Sequence, residues 1–101
     1  MSDYNYGLSY SSVTSGVKNL IDKGYHWFVS DMDIASEFEC KDEEFLVFKL
    51  ITDLENKTAV ATIDDGNENV LYTQEYDYTD SKIKEVKVWK IGKVILLPEE
   101  Y

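Results

Sequence analysis

The chain has 101 residues, with 20 carboxylates against 10 lysines and no arginine, a formal charge of −10. That balance excludes direct binding to nucleic acid, which draws its affinity from cationic side chains that displace counterions. Without arginine there is no bidentate fork for phosphate either.

The length is that of one domain, and hydrophobic residues at 44% are enough for a modest core. No run approaches the roughly 18 apolar residues of a membrane span. Met1-Ser2-Asp3 lacks the basic start and apolar core of a signal peptide, so the expected compartment is the cytoplasm. Cys40 is the single cysteine, which excludes an internal disulfide, and no Cys/His cluster marks a zinc site. Cys40 reads as a spare residue at a helix end. His26, alone between Tyr25 and Trp27, reads as a helix residue rather than a general base. No cofactor, metal or catalytic residue is expected, and the chain is read as no enzyme.

In chain order, residues 1–12 are an irregular lead-in whose Tyr4, Tyr6 and Tyr10 are placed to lie against the domain, which spans 13–101. Thr14 looks like an N-cap, Val17, Leu20 and Ile21 follow at helical spacing, and Gly24 supplies the stop. A second helix runs from Tyr25 to Phe38. Phe28, Met32 and Ala35 mark one stripe of it, and Trp27, Asp31, Ile34 and Phe38 the next. Such a broad apolar face suits a helix lying on a sheet.

An acidic belt follows. Asp31, Asp33, Glu37, Glu39, Asp42, Glu43 and Glu44 stand against Lys41 alone. The bland account is a solvated helix face. The sharper one is spaced negative charge presented to a basic groove on another protein.

Phe45 to Ile51, Thr58 to Ile63 and Val70 to Tyr78 are strand-like runs, and Asp64-Asp65-Gly66-Asn67 between the last two is the strongest hairpin signal. They predict a three-stranded antiparallel meander. Both faces of the first run are apolar: Leu46, Phe48 and Leu50 on one, Phe45, Val47 and Ile51 on the other. That strand is therefore central and covered on both sides, or covered by a partner on one. A calcium loop at Gly66 would need oxygen ligands where Ala61 and Ile63 stand, so turn chemistry is the better account. Tyr72, Gln74, Tyr76 and Tyr78 line one face of the third strand, as a cap for the core or as a binding surface.

Asp80 then caps a third helix over roughly Ser81 to Ile91, with Ile83, Val86 and Trp89 three apart and Gly92 at the end. Alternation through Val86 and Val88 fits a strand as well. This segment is basic, with Lys82, Lys84, Lys87, Lys90 and Lys93 against Glu85. Val94 to Leu97 is a short strand closed by Pro98. The fold class expected is α+β: two N-terminal helices, the meander, a third helix and a short C-terminal strand.

Over about residues 14–101 the chain resembles an uncharacterised domain family of small bacterial and bacteriophage proteins. The likeness lies in Thr14, Gly16-Val17-Lys18 and Leu20 leading to Tyr25-His26-Trp27, in Asp33-Ile34-Ala35-Ser36, in Asp65-Gly66-Asn67 and in Tyr78-Thr79-Asp80. Its ending, Val94-Ile95-Leu96-Leu97-Pro98-Glu99-Glu100-Tyr101, completes the pattern. Where the family tends to have proline and leucine after the Thr-Asp step, this chain has Ser81-Lys82-Ile83.

The resemblance implies no activity or cofactor, only an origin in phages and other mobile elements. The expected function is that of an acidic, non-catalytic binder. It would inhibit a host nucleic-acid-handling or defence protein by mimicking DNA charge, in an anti-CRISPR-like manner. The seven belt carboxylates with Tyr72, Tyr76 and Tyr78 are the candidate contacts, and the partner is a cationic host protein rather than nucleic acid or membrane. The alternative is a homo-oligomeric interaction module, such as a homodimer, with no inhibitory role, that buries Phe45, Val47 and Ile51 between copies.

Overall fold

The computed structural model describes residues 12–40 and 42–100. The tyrosines of the lead-in, together with Lys41 and Tyr101, lie outside them. Within the stretch read as lead-in, Ser12 already belongs to a strand.

Six strands make one mixed sheet: β1 (Ser12–Val13), β2 (Phe45–Asp53), β3 (Thr58–Asp64), β4 (Val70–Tyr76), β5 (Glu85–Ile91) and β6 (Val94–Leu96). Their order across the sheet is β1-β6-β5-β2-β3-β4. All neighbours are antiparallel except β1 and β6, which run parallel. One helical segment lies on one face. It begins as α1 (Ser15–Leu20), passes through a π-helical turn (Ile21–Tyr25) and continues as α2 (His26–Glu39). A 3₁₀ turn, Pro98–Glu100, follows β6.

This corrects the expected architecture in three places. The two N-terminal helices are one segment. Gly24 kinks it with a φ of 106°, a value open to glycine at little cost, and α-helical geometry resumes at His26. The third helix is absent, and its residues form β5, a central strand paired with β2. The spacing of Ile83, Val86 and Trp89 imitated a helix, but period-two burial decides the matter. Val86, Val88 and Lys90 are buried while Glu85 and Lys87 are exposed. Lastly, β2, β3 and β4 pair in sequence, yet only as half of a six-stranded sheet, because β5 and β6 join on the other side of β2.

The core lies between helix and sheet. Leu46, Phe48 and Leu50 of β2, Ala59, Ala61 and Ile63 of β3, and Val86 and Val88 of β5 meet Val17, Ile21, Phe28, Val29 and Met32. Phe48 is wholly buried, opposite Ile63 on one side and Val88 on the other. The alanines of β3 let α2 approach the sheet closely. Among the described residues no helix or strand covers the other face, where Phe45, Val47, Lys49 and Ile51 alternate along β2.

A corner holds the segment's start. Glu100 accepts hydrogen bonds from the Thr14 hydroxyl at 2.5 Å and from the backbone of Gly16 at 3.0 Å and Leu97 at 2.9 Å. Thr14, as expected, caps α1 by accepting from the Val17 N–H. Any side chain at Gly16 would meet the Glu100 carboxylate, since a Cβ there would lie 2.7 Å from it.

Candidate functional site

The acidic belt divides in two. Lys90 of β5 points to the helix side and is only 4% exposed. Its ammonium donates to Asp33 Oδ1 at 3.2 Å, Ser36 Oγ at 2.6 Å and Glu37 Oε2 at 2.9 Å. Lys93 reaches the same Glu37 oxygen at 2.7 Å. Burying an ammonium costs several kcal/mol unless its donors are satisfied, and here three acceptors surround it. The hydrogen bonds from Lys93 and Lys90 hold the Glu37 carboxyl below its ordinary range. Asp31 accepts from the Tyr76 hydroxyl at 2.8 Å. These three carboxylates fasten helix to sheet, and the sequence reading had no means to separate them from the rest.

The other four, Glu39, Asp42, Glu43 and Glu44, are exposed. Glu39 ends α2, where the helix dipole is already negative and no basic residue occupies the last turn, and Asp42, Glu43 and Glu44 lie in the loop that follows. Phe38, 67% exposed, stands beside them.

The tyrosine row divides as well. Tyr72 and Tyr76 are half-buried on the helix side, where Tyr72 donates to Gln74 at 3.1 Å and Tyr76 meets Trp27 edge-on at 4.8 Å. Burial, with Asp31 beside it, pushes the Tyr76 phenol far up. Tyr78, in the loop after β4, is the one of the three presented to solvent.

Cys40 is buried, and burial with Glu39 and Glu43 nearby raises its thiol, so it stays protonated at neutral pH. His26 is exposed at the start of α2. Among the described residues no group of three or more His, Cys, Asp or Glu is placed to hold a metal ion, and no helix is long and apolar enough to cross a membrane. The Asp64–Asn67 turn is held by its own side chains, with one oxygen of Asp64 and both of Asp65 engaged. Asp64 accepts from Gly66 N–H at 2.8 Å, and Asp65 accepts from Asn67 N–H at 2.9 Å.

The sheet face of Phe45, Val47 and Ile51, which the alternative reading buries between copies, carries no described helix or strand. A cavity of about 410 Å³ opens there between Phe45, Trp89 and Pro98. Its only signal in the sequence was that both faces of β2 are apolar.

Fold and surface together define a small α+β domain with one helix-covered sheet face, an exposed acidic cluster following α2 and a second sheet face that no described helix or strand covers. The family described as "Family of unknown function (DUF6876)" matches residues 2–101, and the chain belongs to it. No curated protein and no solved structure matches.

Proposed function

We propose that the protein is a non-catalytic binding domain that docks its acidic helix end on a cationic surface of another protein. The observation that carries this is the cluster of Glu39, Asp42, Glu43 and Glu44, exposed at the negative pole of α2 beside the exposed ring of Phe38. Charges set against the helix dipole cost stability, of order 0.3–1 kcal/mol each within the last turn. The chain keeps Glu39 where lysine would stabilise the helix. Clustered carboxylates steer a basic partner, and an aromatic side chain among them supplies a desolvated anchor. In a bacterial cytoplasm, the partner of this reading is a nucleic-acid-handling or defence protein whose phosphate sites the carboxylates occupy. Asp31, Asp33 and Glu37, committed to the fold, are no longer part of that contact.

The test neutralises the four exposed carboxylates together, as Glu39→Gln, Asp42→Asn, Glu43→Gln and Glu44→Gln. Capture of partners from a bacterial lysate should fall at low salt by an order of magnitude or more, while the melting temperature holds or rises. The same partners, captured with the same salt dependence by parent and variant, would sink this reading.

A further inference from the structure

The cavity on the sheet face that no described helix or strand covers carries a second inference. Strand register sets Lys49 of β2 directly opposite Lys87 of β5. Like charges facing each other across an antiparallel pair repel. No carboxylate lies within ion-pair distance of either lysine among the described residues, although the chain has 20 of them.

Both lysines line the cavity. Beside them its wall is aromatic and held in place. Phe45 meets Trp89 edge-on, with centroids 5.3 Å apart. From the other side Gly66 presses on Phe45 so closely that a Cβ there would lie 2.7 Å from the ring. The lining also holds Glu68 and Asp64, which stands beside Val47 on the neighbouring strand. The volume of about 410 Å³ is that of a small-ligand pocket.

We propose that this cavity binds a nucleoside monophosphate. Lys49 and Lys87 take the phosphate, as lysines do through charge rather than through a fork. The Phe45–Trp89 wall packs against the base, and Asp64 and Glu68 accept from base N–H or sugar hydroxyl groups. The combination of cationic, aromatic and acidic lining in one cavity is what selects this class. A lone anion would leave the aromatic wall and the two carboxylates without a role. A second copy of the same face, docked about a twofold axis through the cavity, would gather four ammonium groups.

The test is a titration of the ¹⁵N-labelled protein with AMP, GMP, CMP and UMP, with the parent nucleosides and inorganic phosphate as separate arms. At least one monophosphate should shift the Trp89 indole and the amides of β2 and β5 saturably. Its nucleoside should bind at least tenfold more weakly, and so should phosphate. Lys87→Glu should abolish the effect while raising the melting temperature, because it turns a repulsive cross-strand pair into an attractive one. Lys49→Met with Lys87→Met should abolish it with the fold intact. Absence of saturable shifts with all four nucleotides, binding by phosphate as tight as by any nucleotide, or binding undiminished in the lysine variants would each overturn the proposal.

Discussion

Lys90 is the residue on which the docking of the helix turns. Its ammonium is enclosed by Asp33, Ser36 and Glu37 from two turns of α2, so it fixes the rotation of the helix on the sheet as well as its distance. Replacing it with Met leaves Asp33 as a buried carboxylate without its ammonium, and denaturant melts should show a loss of about 3–5 kcal/mol. Adding Asp33→Leu should restore much of that loss, since an apolar pair of similar volume replaces a buried ion pair at little net cost. If the double variant is no better than the single one, the pair does not act as a unit.

Glu37 adds a pH dependence whose sign is fixed. Its carboxyl is held below the usual range when folded, so its contribution is present above the unfolded value of about 4.3 and lost as pH falls through the lower, folded one. Glu100 behaves in the same way. Melting temperature should therefore be flat near neutrality and drop below about pH 4.3. In Glu37→Gln the plateau should be lower and the acid drop shallower.

At the scale of elements, the β3–β4 hairpin shows what a local signal can carry. Asp65-Gly66 marks a turn because only a few residue types accept its geometry, and Gly66 does adopt a φ of 88°. The structure adds a second constraint, contact with Phe45, which no local reading could reveal. Gly66→Val should cost both the left-handed strain and the displaced ring, about 2 kcal/mol or more. An unchanged melting temperature would show that the loop yields.

The elements that escaped the sequence reading are those decided at long range. From Ser81 to Ile91, apolar residues three apart and two apart coexist, and only pairing with β2, some 40 positions earlier, makes the segment a strand. Gly24 looked like a stop because a glycine with positive φ usually ends a helix, yet docking on the sheet carries the segment past it. The acidic belt was legible as a run of charge. That Lys90 would claim Asp33 and Glu37 was not, because 57 and 53 positions separate the partners.

For the whole molecule, charge is unevenly spread as well as large. Residues 82–93 hold five of the ten lysines, and two of these, Lys87 and Lys90, stand on β5, the central strand opposite β2. Lys90 and Lys87, on opposite faces of β5, meet different surroundings: one is neutralised by the helix, the other faces Lys49. Summed over the chain, the charge of −10 makes the folded state repel itself. Because salt screens that repulsion with a Debye length near 8 Å at physiological strength, melting temperature should rise as sodium chloride goes from low to physiological concentration. A fall would mean that the ion pairs around Lys90 outweigh the repulsion.

The corner closed by Glu100 behaves differently from the rest. One side chain, drawn from 84 to 86 positions away, holds the cap of α1, and beside it the parallel pairing of β1 with β6 covers only two residues on each strand. So slight a fastening opens more readily than the β2–β5 centre, where seven residue pairs are in register. The molecule should therefore have a sub-global opening in which Ser12 to Leu20 lifts from the sheet edge while Phe48 and Val88 stay protected. Glu100→Gln would deepen that opening. In hydrogen exchange the amides of α1 and β6 should speed up several-fold, and those of β2 and β5 should not. Since the Glu100 carboxylate is the latch and is held below its ordinary range, this corner should stay shut in mild acid and release only below about pH 4.3, making the start of the helix an acid-triggered hinge.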